Sequence, residues 1–588
     1  MPLTRLSVLF SLLLICSCAR QPQGELQAIF DEAWEFQIQE YPLFATSIGR
    51  HEFNDRLPSV TPADRERRLQ FWTDVLARLN RIDRGALAKT DRINYDLFRR
   101  EVEDNMAGMH FHAYTMPLNA DSGFHTGFAR LAALMPFSTV KDYENYIARL
   151  RAFPRYVGQQ IANMKEGIEI EMTLPQVVLR GIEGTLEPHI VTEPEESVLY
   201  QPFARFPASV PQSARARLVA DGKAAIMDGV VPGYRMFLQF MTEEYIPQAR
   251  PTIAASDLPG GREYYQQRVD YYTTLALSVE EIHQTGLREV ERIRKEMQEI
   301  IEQVGFRGDF AAFLKFLRTD PRFYPRTAEE LLKEASTIAK RMDGKLPSLF
   351  KTFPRLPYGV APVPDHIAPK YTAGRYVEPA LGSTEPGYYW VNTYNLASRP
   401  LYVLEALTFH EAVPGHHFQI SLARELENVP TFRRFSYISA FGEGWGLYSE
   451  WLGLEAGFYT DPYSNFGRLT YEMWRACRLV VDTGIHAMGW TRKHAIDYLA
   501  ANTALSLHEV RTETDRYISW PGQALSYKMG ELEIKELRRK AEDALGEDFD
   551  VREFHDVVLR NGAVTLPILE QEVQEYIQKK AAQLSEGT

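Results

Sequence analysis

The sequence predicts a mainly α-helical protein of two lobes with one small β-sheet. Along most of its 588 residues, apolar side chains recur three and four positions apart, which is the period of an amphipathic helix. One stretch, Tyr388–Tyr394, instead combines aromatic and β-branched residues, which are typical of strands. The composition, 45% hydrophobic and 24% charged, is that of an ordinary globular protein. We therefore expect helices to form most of the core.

Taken in chain order, the helical pattern covers a series of long segments. In the first of them Ile29, Trp34 and Phe36 are spaced among acidic residues as on a helix with one apolar face. The segments are Leu26–Glu40, Thr61–Asn80, Val140–Glu166, Ser278–Val304, Ala328–Met342 and Phe549–Leu584.

Proline-rich stretches and one strand-like region interrupt these helices. Residues 183–213 are polar and rich in proline, so we expect a long loop or a crossing between lobes there. A second proline-rich stretch precedes residues 374–395, which are the best candidate for a sheet. We expect an N-terminal helical half, residues 23–345, to pack against a C-terminal half, residues 346–588, as one continuous body.

The N-terminus has the pattern of a targeting signal. Arg5 precedes the apolar stretch Leu6–Ile15, which is too short to span a bilayer as a helix. The small residues around Cys18 resemble a bacterial lipobox, in which cleavage leaves that cysteine lipidated at the new N-terminus. Residues 1–18 are thus predicted to be a signal peptide with a lipobox, and an ordinary secretion signal is the alternative. We expect an exported protein, anchored to the periplasmic side of the cell envelope only through a lipid on Cys18.

Charge and cysteine content narrow the function classes. The formal net charge is -12 and no block of basic residues occurs, so nucleic acid is not an expected partner. Beyond the signal region only Cys477 remains, which excludes an intramolecular disulfide. Its helical, apolar surroundings predict a small core residue.

The most informative motif is His410-Glu411-Ala412-Val413-Pro414-Gly415-His416-His417. Many zinc hydrolases use two neutral imidazoles as ligands and an adjacent carboxylate as general base. Their usual spacing is H-E-x-x-H, in which both histidines lie on one helix face. Here a proline and a glycine are inserted, so the motif is a variant of that pattern.

In an unbroken helix, neither His416 nor His417 would share an ion with His410. A break at the Pro-Gly pair would absorb the two inserted residues and bring His416 to the second ligand position. We favour His416 and keep His417 as the alternative metal ligand.

The third ligand is predicted to come from a downstream helix. Glu443 and Glu450 are seven residues apart, so they share one helix face among small and aromatic residues. We expect Glu443 to complete the metal site and Glu450 to be a hydrogen-bond partner of a histidine. Mixed nitrogen and carboxylate ligation makes zinc the default ion.

Polar residues further along the chain could stabilise an oxyanion. We expect Tyr527 or Tyr517 to be the hydroxyl donor, with His486 assisting; a buried structural histidine is the alternative for His486. The aromatic strand Tyr388–Tyr394 is expected either to bind a peptide along its edge or to be an ordinary buried strand.

Together these motifs resemble the bacterial DUF885 family, whose members are often lipoproteins. The resemblance covers nearly the whole chain after the signal region. It rests on Tyr41–Thr46, His410–His417, Glu443–Glu450, Asp482–His486 and Pro521–Lys528. It implies a zincin-like helical metallopeptidase fold with the small sheet near the active site, broadly similar to the angiotensin-converting-enzyme and oligopeptidase group.

The leading functional hypothesis is an exported zinc-dependent peptidase or related amide hydrolase that acts on short peptides. In it His410, His416 and Glu443 hold the ion, and Glu411 takes a proton from the attacking water. Two alternatives stay open: a metal-dependent hydrolase of a non-peptide amide or ester, and a non-catalytic lipid-anchored binding protein.

Overall fold

The computed structural model describes residues 22–365, 367–379 and 385–586, and helices account for most of them. The predicted signal peptide and Cys18 lie outside the described residues. The helices up to residue 343 are α1 (Pro22–Glu40), α2 (Pro42–Ser47), α3 (Pro62–Leu79), α4 (Lys89–His110), α5 (Phe124–Ala129), α6 (Leu131–Leu134), α7 (Val140–Glu169), α8 (Gln201–Ala204), α9 (Gln212–Ala225), α10 (Val231–Phe240), α11 (Ile246–Gln248), α12 (Gly261–Thr273), α13 (Val279–Gln303), α14 (Phe310–Thr319) and α15 (Ala328–Asp343). The later helices are α16 (Leu346–Leu349), α17 (Leu404–Glu411), α18 (His416–Arg424), α19 (Ser439–Glu455), α20 (Pro462–Ala487), α21 (Arg492–Asn502), α22 (Leu507–Ser519), α23 (Ser526–Leu545), α24 (Val551–Leu559) and α25 (Leu566–Glu586).

This architecture confirms the prediction of a mainly helical protein. The predicted segments correspond closely to α1, α3, α7, α13 and α15. Side-chain caps help to set these boundaries: Ser278 begins α13 in a reciprocal hydrogen-bonded pair with Glu281, and α3 and α7 begin in the same way.

Two details of the helix prediction were wrong. Residues 549–584 form two helices, α24 and α25, because Pro567 lies in the first turn of the second one, where proline is tolerated, and could not lie within a continuous helix. Residues 183–213 are a chain of short helical turns, including α8, in place of a plain loop.

The small sheet is also confirmed. It consists of β1 (Tyr358–Pro362), β2 (Gly374–Val377) and β3 (Gly387–Val391) in the order β1-β3-β2. The predicted aromatic strand is β3, and it is the central strand, parallel to β1 and antiparallel to β2. Both of its edges are therefore paired, so of the two alternatives for this strand the ordinary buried strand is confirmed and peptide binding along its edge is excluded.

The two halves of the chain share a core. One buried apolar cluster extends from Leu26 to Val573, and α13 of the first half packs along α20 of the second. The ring of Phe30 in α1 lies 5.2 Å from that of Phe432, which is distant in sequence. Cys477 is buried within this core. None of the helices in the described part of the chain is long and apolar enough to cross a membrane.

Close packing of α19 against α23 brings two groups of functional interest together. Gly444 of α19 meets Gly530 of α23, and a Cβ atom on Gly530 would lie 1.9 Å from the carbonyl oxygen of Ala440. Only glycine at position 530 permits this approach of the two backbones. Since α19 carries Glu443 and α23 carries Tyr527, the contact fixes the distance between these two side chains.

We predict that Gly530→Ala lowers the free energy of unfolding by about 1–3 kcal/mol, because the added methyl group forces α19 and α23 apart. The matched control is Gly158→Ala in α7, where a Cβ would meet nothing within 4 Å. That substitution should stabilise the protein by about 0.5–1 kcal/mol, as expected for alanine in a helix. Urea unfolding followed by circular dichroism measures both, and equal effects of the two would contradict the packing argument.

Candidate metal site and the cavity around it

The histidine motif is divided between two helices. Helix α17 ends at Glu411, and α18 begins at His416. The connecting Val413–Pro414 peptide bond is cis, and Trp445 donates a 2.8 Å hydrogen bond to the carbonyl of Pro414. A Cβ atom on Gly415 would lie 2.0 Å from the carbonyl oxygen of His410, so the chain can turn back so closely only with glycine there. The insertion thus forms the break that the sequence predicts.

This break brings His410, His416 and Glu443 together. One ligand atom from each lies within 4.8 Å of those of the other two. Each histidine Nε2 is 3.4 Å from the same oxygen, Oε2 of Glu443. A tetrahedral zinc ion with bonds of about 2.1 Å would separate its ligand atoms by about 3.4 Å. The residues present therefore fit one zinc ion in their chemistry and in their spacing.

A second carboxylate, that of Glu450, binds the other ring nitrogen of His410. Glu450 is fully buried, and its Oε1 lies 2.8 Å from Nδ1 of His410 and 3.1 Å from Nη2 of Arg475. With Nδ1 bonded to a carboxylate, Nε2 is directed toward Glu443 and can act as a ligand. The predicted role of Glu450 as a histidine partner thus agrees with its position.

The carboxylates dominate the electrostatics of the site. Burial alone would lower the pKa of His410, but hydrogen bonds to Glu443 and Glu450 raise it to about 9. Burial would raise the pKa of Glu443, but the two histidines hold that pKa well below its usual range. The site therefore carries an ionised carboxylate beside two imidazoles, which suits a divalent cation.

Glu411 lies on the wall of the cavity beside the edge strand. It is 8% exposed, and its Oε2 accepts a 2.9 Å hydrogen bond from the backbone N–H of Tyr376 in β2. This contact fixes the carboxylate next to His410 and makes β2 the strand nearest the site.

His417, the alternative ligand, lies apart from this group. Its Nδ1 is 3.1 Å from the hydroxyl of Tyr376 and 3.3 Å from that of Ser421, and its ring packs against Tyr358. Burial lowers its pKa to about 4. Of the two neighbouring histidines, it is therefore His416 that lies together with His410 and Glu443.

Of the candidate oxyanion donors, only Tyr527 lines the cavity. Its ring stacks beside that of His410 at a centroid distance of 6.4 Å. The hydroxyl of Tyr517 is instead buried in hydrogen bonds with Trp474 and Glu513. Tyr517 therefore lies outside the cavity.

His486 is a buried structural histidine, which was the predicted alternative to a role in oxyanion stabilisation. It is fully buried; Nδ1 accepts from the backbone N–H of Ala255, and Nε2 donates to the carbonyl of Tyr517. With both nitrogens used, it cannot assist at an oxyanion. Its side chain serves to join α20 to two other segments.

Two residues that the sequence analysis missed also face the site. Tyr437 is 48% exposed, and its hydroxyl donates a 3.0 Å hydrogen bond to Oε1 of Glu443. Arg375 of β2 lines the cavity, where Glu411 and Glu443 are among the groups that raise its pKa. Neither lies in a recognisable motif, although Arg375 stands in the predicted sheet region.

These side chains open into a large cavity of about 1760 Å³. Its lining includes Arg100 and Asp104 of the N-terminal half as well as the metal site in the C-terminal half. Both halves of the chain therefore form the walls around the site.

These features define a class of protein: a mainly helical protein with a candidate metal site of two histidines and one glutamate. The chain belongs to the family described as "Bacterial protein of unknown function (DUF885)", which matches residues 42–573 and confirms the resemblance seen in the sequence. No curated protein matches the chain.

Two solved structures share the fold. A "putative lipoprotein" from Colwellia psychrerythraea is 29% identical, with a TM-score of 0.86 over 95% of this chain and 100% of the other. A "putative lipoprotein of unknown function" from Shewanella oneidensis is 18% identical, with a TM-score of 0.69 over 94% and 99% of the two chains. At the second identity the similarity concerns the fold alone.

We predict that Glu450→Gln weakens zinc binding by about 10- to 100-fold, because the amide no longer orients and polarises His410 as a carboxylate does. The matched control is Glu455→Gln on the same helix, which contacts Arg538 away from the site and should leave affinity unchanged. Competition with a chromogenic chelator measures both affinities. Equal zinc affinity of Glu450→Gln and the unmodified protein would contradict this role.

Proposed function

We propose that this protein is an exported zinc-dependent hydrolase that cleaves amide bonds in short peptides. The observation that supports it most is the spacing of 3.4 Å from each histidine Nε2 to one oxygen of Glu443, the edge length expected for tetrahedral zinc ligands. When bound, zinc supplies Lewis-acid chemistry that polarises a carbonyl and makes water acidic enough to attack near neutral pH.

In this proposal Glu411 moves the proton. Its carboxylate lies next to His410 in sequence, lines the cavity and is held through Oε2 by the backbone of Tyr376. It would accept a proton from the attacking water and pass it to the leaving amine, as a general base and then a general acid.

Hydroxyl and guanidinium groups on the cavity wall would stabilise the developing oxyanion. Tyr527 and Tyr437 offer hydroxyl groups, and Arg375 of β2 offers a guanidinium. A donor that is held in place before the reaction needs no reorganisation as charge develops. Which tyrosine donates depends on how the substrate lies along β2.

The surroundings of the site indicate the kind of substrate, and the N-terminal sequence indicates the location. A site walled by both halves of the chain is more accessible to short unfolded peptides than to folded proteins. The edge strand β2 could pair with an extended peptide through backbone hydrogen bonds. Export and a lipid anchor on Cys18 are supported by the N-terminal sequence and by the description of the related Colwellia psychrerythraea protein as a "putative lipoprotein". The zincin-like kinship of the fold stays a prediction.

We predict that His416→Gln abolishes stoichiometric zinc binding, because it removes one of the protein's nitrogen ligands. His417→Gln is the matched control, since that neighbouring ring contacts Tyr376 and Ser421 and lies outside the site. Elemental analysis of both proteins, purified in the same way, gives the zinc content. Full zinc in His416→Gln, or loss of zinc in His417→Gln, would reverse the ligand assignment.

We predict that Glu411→Gln retains zinc and loses peptide hydrolysis by at least about 100-fold, because the amide cannot accept the proton. Mass spectrometry of a mixed peptide library, with and without a chelator, identifies substrates and measures the loss. Unchanged turnover in Glu411→Gln would refute its role as base.

The same two measurements separate the alternative functions. Absence of bound zinc in the unmodified protein would favour a non-catalytic binding protein. Bound zinc with no peptide cleaved would favour hydrolysis of a non-peptide amide or ester.

A further inference from the structure

A group of arginine side chains beside Tyr527 has no role in the proton transfer proposed above. Arg475 and Arg478 of α20 and Arg516 of α22 all line the cavity. The first two are only 4% and 2% exposed. A buried guanidinium is costly unless an anion compensates it, so the partners of these three decide what the group can bind.

One carboxylate serves two of the arginines. Glu513 accepts hydrogen bonds of 2.9 Å from Arg478 and of 2.9 Å from Arg516. The two cations hold the pKa of Glu513 at about 2 although burial would raise it. A single negative charge is therefore shared between two positive ones.

The positive charge of the third arginine, Arg475, is not fully compensated either. Arg475 contacts Glu450, which is already the partner of His410. Two further nearby acids, Glu509 and Asp482, each have a pKa that burial raises to about 7, so each is only partly ionised near neutral pH. The arginine group thus has an excess of positive charge at the cavity wall.

Two donor atoms of this group have no hydrogen-bond partner within the described residues: Nη1 of Arg478 and Nε of Arg475. The guanidinium of Arg478 is held rigidly, 4.2 Å from the ring centre of Trp474 and 4.2 Å from that of Tyr527. Buried donors without partners are unfavourable, and a fixed guanidinium is well suited to a planar carboxylate. The arginine group thus combines positive charge at the cavity wall with buried guanidinium donors that have no partner within the described residues.

We propose that Arg475, Arg478 and Arg516 form a subsite that binds a carboxylate of the substrate. The inference rests on the proposed function, whose substrate it narrows to peptides with a carboxylate near the bond that is cleaved. Tyr527 lies between the two sites, because its ring stacks with His410 and also contacts Arg478. A peptide whose C-terminal carboxylate binds here is cut close to its C-terminus. An acidic side chain offers the same chemistry.

Binding of three small peptides tests the subsite without relying on turnover. Isothermal titration calorimetry is carried out on the full chain, metal-free and zinc-loaded, with Ala-Ala-Ala as the free acid, its C-terminal amide, and Ala-Glu-Ala amide. We expect the free acid to bind about ten- to a hundredfold more tightly than Ala-Ala-Ala amide, as charged hydrogen bonds imply. Ala-Glu-Ala amide shows whether an acidic side chain can replace the terminal carboxylate.

Arg478→Gln should bring the acid-to-amide ratio close to one, and Arg478→Lys should give an intermediate ratio, because lysine keeps the charge but lacks the planar fork. Melting temperature and zinc content check that each variant folds. The matched control is Arg538→Lys, a buried arginine of α23 paired with Glu455 and Glu542 outside the cavity, which should keep the original ratio.

The inference is overturned if acid and amide bind equally to the unmodified protein, if no peptide binds, or if Arg478→Gln keeps the original ratio. A preference for carboxylates that depends on Arg478, found in a protein that cleaves no peptide of the mixed library, would leave the subsite in place and reject the proposed peptide hydrolysis alone.

Discussion

The arrangement of the site depends on one buried contact, in which Glu450 lies between His410 and Arg475. Its carboxylate joins three helices, because the imidazole belongs to α17, the acid to α19 and the guanidinium to α20. None of the three groups could be buried alone without a large cost in desolvation. The same contact orients the histidine toward Glu443 and holds the first of the cavity arginines. The proposed metal ligation and the proposed recognition of a carboxylate therefore depend on one shared anion.

Small residues let the helices that carry this contact come close enough. Gly415 allows the chain to fold back against the carbonyl of His410, and Gly530 allows α23 to lie against α19. The first shortens the distance between two histidines of one motif. The second sets the distance from Glu443 to the tyrosine across the cavity. Each is a local choice of residue with an effect on the geometry of the whole site.

The sequence predicted those parts of the site that follow from local spacing. His410, His416 and Glu443 could be grouped because a Pro-Gly break and a helical period relate their positions. The misplaced residues all depended on packing between distant segments. His486 lies on α20, which is buried on all sides from Phe466 to His486, and Tyr517 lies on the buried face of α22. The sequence pattern of these helices therefore does not show which of their buried residues face the cavity. The central position of β3 likewise reflects pairing with strands on either side, which its own residues do not specify.

The common core has a consequence for how the chain matures. Phe30, near the start, packs against Phe98 of the first half and also against Phe432 of the second, and the shared apolar cluster extends to Val573. Contacts this far apart in sequence form slowly, because long stretches of chain must come together first. A chain built in this way suits the proposed export in an unfolded state, because its early helices meet their distant partners only once the last helix is available.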